Sequence, residues 1–130
     1  SDASNVTGYQ TVGGIAGNLN NSAVNNCVNN TVTLTGNVDV GRIVGYLGTG
    51  TAITNCYSHK DSTVNGSALE PETIGIGISG KHGANASFEN LTDESWWTDT
   101  DTVGWNLEEI WEIIDAKPIP TLIDVFIPVD

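Results

Sequence analysis

The side chains able to do chemistry in this chain are few, and their spacing decides little. Asp93, Glu94, Asp99 and Asp101 crowd together, and Asp99-Thr-Asp101 alternates as calcium-binding loops do. Calcium takes about six to eight oxygens, and the glycine and terminal glutamate of a complete loop are missing, so no metal is expected. His59 and His82 have neither a second histidine nor a cysteine at zinc-binding spacing. A Ser/His/Asp arrangement is set by geometry rather than sequence order, and nothing here favours one. Gly75-Ile-Gly-Ile-Ser-Gly80 lacks the Lys-Ser/Thr ending of a phosphate loop. Trp96-Trp97 is the remaining ligand-binding candidate, since paired indoles can stack on sugar rings; the competing reading has them covering a core. No catalytic residue, metal ligand or cofactor is assigned, and the chain is expected not to be an enzyme.

Charge narrows the partners. The net charge is −12; the acids and bases of residues 1–60 cancel, and the whole excess lies in 61–130. Phosphate binding needs a basic face, so neither nucleic acid nor an anionic membrane surface is an expected partner. Such acidity serves solubility. Residues 1–12 have no basic start and no apolar run of signal-peptide length. Abundant Asn, Thr, Ser and Gly with β-branched residues and little charge fit an all-β secreted module.

What must position these residues is an internal repeat. Gly13-Gly-Ile-Ala-Gly17 returns as Gly41-Arg-Ile-Val-Gly45 and, degraded, as Ile76-Gly-Ile-Ser-Gly80. Ile15 precedes Ile43 by 43 − 15 = 28 residues, and Ile43 precedes Ile78 by 78 − 43 = 35, the excess lying in an insertion over 67–73. Short β-branched runs broken by Gly and Asn read as three strands per unit. One such unit cannot bury its own apolar face, whereas stacked units bury a continuous one. The spacing therefore predicts a parallel β-helix, or β-solenoid, of about three coils, with equivalent strands about 4.8 Å apart. Four inward ladders are expected: Val6/Leu34/Val64, Ile15/Ile43/Ile78, Val24/Ile53/Phe88 and Cys27/Cys56/Leu91. Asn26, Asn55 and Asn90 form a fifth column, suited to the left-handed backbone of tight corners. Cys27 and Cys56 would lie within disulfide reach. Leu91 in the same column implies instead that they are reduced, buried and used as small apolar rungs.

Gly13-Gly-Ile-Ala-Gly17, Gly41-Arg-Ile-Val-Gly45 and the Asn-Cys pairs that follow resemble the GLUG-motif repeats of bacterial cell-surface proteins, found also in IgA-specific endopeptidases and adhesins. The tail Gly104-Trp-Asn-Leu-Glu-Glu-Ile-Trp-Glu-Ile, with Lys117-Pro-Ile-Pro-Thr-Leu122, is similar to the segment that closes such arrays. The resemblance implies an extracellular, non-catalytic β-solenoid segment and supplies no catalytic residues. The third copy departs from the pattern.

Residues 1–91 are thus read as the coils, the first one truncated as in a fragment of a longer protein. Residues 92–130 are read as a Trp-rich C-terminal cap and tail of the same domain. Thr92 or Asp93 should start a short helical turn through Trp97. Asn106 should start another, Trp111-Glu-Ile-Ile114 should be a strand before a turn at Pro118, and 124–130 is an edge strand or a linker. Turns are expected at 19–22 and 47–50, and a projecting loop at 67–73. The expected role is adhesion or structural spacing, with a host protein or glycan as partner and edge-to-edge self-association through the first coil. The alternative is an accessory, substrate-positioning region of a large secreted protease or glycan-degrading enzyme.

Overall fold

A computed structural model describes residues 5–106, together with the backbone of Trp111–Glu112 and Thr121–Leu122. The described residues are mostly strands, in small sheets that are mainly parallel, with two short helices among them. The first repeat unit holds five strands rather than three: β1 (Asn5–Thr7), β2 (Thr11–Gly13), β3 (Ala16–Leu19), β4 (Ala23–Asn25) and β5 (Val28–Asn29). The second holds their counterparts β6 (Thr33–Thr35), β7 (Asp39–Gly41), β8 (Val44–Leu47), β9 (Ala52–Thr54) and β10 (Tyr57–His59). Each strand of the first unit pairs in parallel with its counterpart in the second.

The repeated glycines explain the sharp bend in each unit. A Cβ on Gly13 would run into the carbonyl oxygen of Ala16, and one on Gly41 into that of Val44, so the same backbone closure occurs twice. A Cβ on Gly45 would lie 2.7 Å from the Gly17 oxygen, which ties the second motif glycine to contact between units. The corners use asparagine as expected: Asn26 and Asn55 both have left-handed backbone, φ 53° and 51°. The turns at 19–22 and 47–50 lie side by side, with Asn21 N–H donating to Thr49 O at 2.9 Å.

Two ladders hold through the second unit or beyond. Val6 faces Leu34, which faces Val64 on β11 (Thr63–Val64), and Val24 faces Ile53. Burial follows: Leu34 and Ile43 are wholly inaccessible, and three apolar clusters run through the molecule. Ile15 is in backbone register with Ile43 but is 37% exposed, whereas Val12, Val24 and Val28 of the same unit are buried.

The third passage departs from the expected columns. Val64-Asn65-Gly66-Ser67 turns back at once, with φ 50° and 86° at Asn65 and Gly66, and β12 (Ser67–Ala68) pairs antiparallel with β11. That is the hairpin geometry Asn-Gly favours. Parallel pairing returns as an isolated bridge between Ile76 and Gly83 and then as a strand at β13 (Ala84–Ala86), against β10. The displaced residues follow from this reversal. Lys81 O, not Ile78, receives the N–H groups of Ile43 and Val44, while Ile78 O accepts from Cys56 and its side chain is 44% exposed. Phe88, expected above Ile53, opens α1 (Phe88–Leu91) and is 52% exposed. Asn90 is no corner residue: its side chain accepts from the Ser87 N–H, and Ser87 Oγ accepts from the Asn90 N–H, closing a capping box. Leu91 is buried, but against Val28 and Trp97 rather than over Cys56.

α2 (Glu94–Thr98) starts at Asp93, as its sequence predicts. β14 (Trp111–Glu112) is a strand, antiparallel to β15 (Thr121–Leu122). The helical turn expected from Asn106, the turn at Pro118 and the segment 124–130 lie outside the described residues.

Candidate functional site

The aromatic cluster forms because α1 and α2 fold over the end of the second unit. Trp97 is fully buried, and its Nε1–H donates to Leu91 O at 2.9 Å. Trp96 is half-buried and stands edge-on to both Trp97 and Tyr57, with ring centres 5.0 Å apart in each case. Trp105 tilts against Trp97 and donates from Nε1 to Asn26 O, tying the helical segment to the first corner. Trp97, with no accessible surface, is part of the core, and Trp96 packs against that cluster while remaining only half-buried. Burial, and then the charges of Asp99 and Asp101, push the Tyr57 hydroxyl above its usual pKa.

The acidic residues are occupied locally. Asp93 Oδ1 accepts from the Ser95 N–H and Oγ–H, bonds that hold its carboxyl below the usual range. Asp99 Oδ1 accepts from the Asp101 N–H at 2.8 Å. Among the described residues no three His, Cys, Asp or Glu side chains converge as a metal site would require.

Both histidines accept a backbone N–H at Nδ1, in different surroundings. His82 is buried, and its Nδ1 accepts the backbone N–H of Arg42 at 3.3 Å. Arg42 is itself fully inaccessible: Nε donates to His82 O at 2.9 Å, Nη2 to Gly83 O at 3.1 Å and Nη1 to His59 O at 3.4 Å. Burial lowers the Arg42 pKa to about 10, so it stays charged at neutral pH. Burial, then Lys81 and Arg42, lower the His82 pKa to about 4, which keeps Nδ1 free to accept. The one long cationic side chain in the repeat motif is thus a strut between the second unit and the turns that follow. The motif's apolar neighbours hid this from the sequence; the signal was an unpaired arginine between Gly41 and Ile43.

His59, Asp61 and Ser62 meet at a hollow of ≈ 240 Å³, with Asn30 and Val32 completing its wall. It brings together the residue types of a hydrolytic triad in the wrong relation. Asp61 N–H donates to His59 Nδ1 at 3.1 Å, while the Asp61 carboxylate lies 4.0 Å away and is 73% exposed. In a triad the carboxylate holds a proton on Nδ1 and Nε2 is the base. Here Nδ1 instead accepts a backbone N–H.

Cys27 and Cys56 are free thiols in adjacent strands' corners, Cys56 buried and Cys27 only half-buried. The expectation that both are buried thus holds for Cys56 alone.

No family model, no curated protein and no solved structure matches this chain. Among the described residues no helix is long and apolar enough to cross a membrane.

Proposed function

We propose that this chain is a non-catalytic repeat segment of a bacterial cell-surface protein, a parallel β-solenoid of about three coils with a Trp-rich cap, serving adhesion or structural spacing. The observation that carries the reading is the in-register parallel pairing of all five strands of one unit with all five of the next. Stacking of that kind makes a stiff body that lengthens by about 4.8 Å per added unit. The likeness of the glycine motif to GLUG repeats supplies the extracellular setting. The partner is a host protein or glycan, met through exposed turns and faces. A second contact of the same reading is self-association along β1 to β4, which among the described residues pair on the side of the second unit.

Antibodies against the folded chain test the setting. They should label intact cells of the source organism, and mild protease treatment of those cells should remove the label. Labelling that appears only after permeabilisation overturns the cell-surface reading. Beads coated with the chain should bind host glycoproteins or an arrayed glycan if the role is adhesion; beads that bind nothing leave spacing as the role.

A further inference from the structure

We propose that Cys27 and Cys56 are a thiol–disulfide exchange pair, with Cys27 the attacking thiol and Cys56 the resolving one, acting on low-molecular-weight disulfides. The geometry places them together from both sides. Asn25 faces Thr54 just before them, and Val28 faces Tyr57 just after. The Asn26 N–H donates to Thr54 O and the Tyr57 N–H to Cys27 O, both at 2.9 Å. Asn26 and Asn55 take the same left-handed corner, so the next residue in each strand leaves it in the same direction. Parallel neighbours lie about 4.8 Å apart at Cα, inside the 4.4–6.8 Å or so that a disulfide spans.

Their surroundings divide the roles. Cys56 is wholly inaccessible, with Sγ 3.4 Å from Thr54 O and 3.6 Å from Val24 O. Cys27 Sγ lies 3.2 Å from Asn25 O, and the residue is only half-buried at the edge of the cluster that encloses Cys56. The neighbouring Cys56 thiol lowers the Cys27 pKa to about 7, and Cys27, with burial, pushes that of Cys56 up. The lowered pKa enlarges the thiolate fraction of Cys27 near neutral pH, and the thiolate is the attacking species.

The chemistry balances without a metal or enzyme. The Cys27 thiolate attacks one sulfur of the small disulfide, a mixed disulfide forms, and one small thiolate leaves. The negative charge on Cys27 is then gone, so the Cys56 thiol loses its proton more readily. Its thiolate attacks Cys27 Sγ, the protein disulfide closes, and the second small thiolate leaves; solvent protons complete both leaving thiols. Two protein thiols are oxidised and one disulfide is reduced.

The test holds the folded chain with glutathione disulfide near neutral pH, then reads intact mass after alkylation under native and denaturing conditions. The expected wild-type product is a monomer two hydrogens lighter, with no glutathione attached and no thiol left to alkylate even when unfolded. Cys56→Ala, which keeps the buried site apolar, should stop with one glutathione on Cys27. A circular-dichroism melt confirms that this variant is folded, and the wild-type mass is decisive without it. Two alkylatable thiols after prolonged exposure, stable glutathione adducts on wild type, or disulfide-linked dimers would each overturn the pairing.

Discussion

At the scale of the residue, the interior of this small protein depends on a charge. Arg42 donates to three backbone carbonyls and has no carboxylate partner among the described residues. Arg42→Ala would leave the buried His82 O without its donor and strip one of two donors from Gly83 O and from His59 O, at a cost on the order of 3 kcal/mol. Urea unfolding should show this as a lower midpoint with the slope kept. His82 adds a pH dependence whose sign is fixed. Its folded pKa, about 4, lies below the ordinary 6.5, so between these values the unfolded chain binds more protons than the folded one. Stability attributable to His82 is complete above pH 6.5 and falls as the pH drops towards 4, by about 2–3 kcal/mol. His82→Asn, which keeps an acceptor for the Arg42 N–H, should flatten this part of the urea-midpoint profile; an unchanged slope would remove His82 from the account.

At the scale of the element, two kinds of glycine separate cleanly. Gly66 has φ +86° with nothing within 4 Å of an added Cβ, so Gly66→Ala costs only its backbone conformation, about 1–2 kcal/mol. Gly41→Ala drives a methyl into the Val44 carbonyl and should cost several-fold more, with loss of β-type circular dichroism at temperatures where Gly66→Ala is folded. Ser87→Ala removes the α1 cap and should cost about 1 kcal/mol. These elements were unequally legible. Gly, β-branched and Asn spacing located the corners and register of the first two units, because each of those residues answers a local backbone demand, but it counted three strands per unit where there are five. The third unit was misread because Val64-Asn-Gly66 fits the repeat and a two-residue hairpin equally well, and the hairpin won. The same alignment hid the Ser87-to-Asn90 capping box behind an apparent ladder position at Phe88. Asp93 was legible as a cap since it stands directly before a helical turn. The proximity of the two cysteines was legible from the register, but their unequal exposure was not, since it depends on which unit has neighbours on both sides.

At the scale of the whole molecule, the core is held by sequence-distant contacts, so damage in the middle should spread. Ile43→Asp places a carboxylate where no water reaches and should abolish the cooperative thermal transition. Trp97→Ala removes the largest buried side chain and its bond to Leu91 O, for about 3–5 kcal/mol. The turn between β8 and β9 is one residue longer than that between β3 and β4, since Ala16 faces Val44, 28 residues on, but Ala23 faces Ala52, 29 on. The strands after it keep the 29-residue spacing, with Val28 facing Tyr57. An extra residue was therefore absorbed at Gly48–Gly50 without rotating any inward side chain outward. A peptide grafted between Thr49 and Gly50 would likewise hang from the wall of the molecule while its interior stayed as it is, which makes this corner a natural place to vary the surface or to display a foreign epitope.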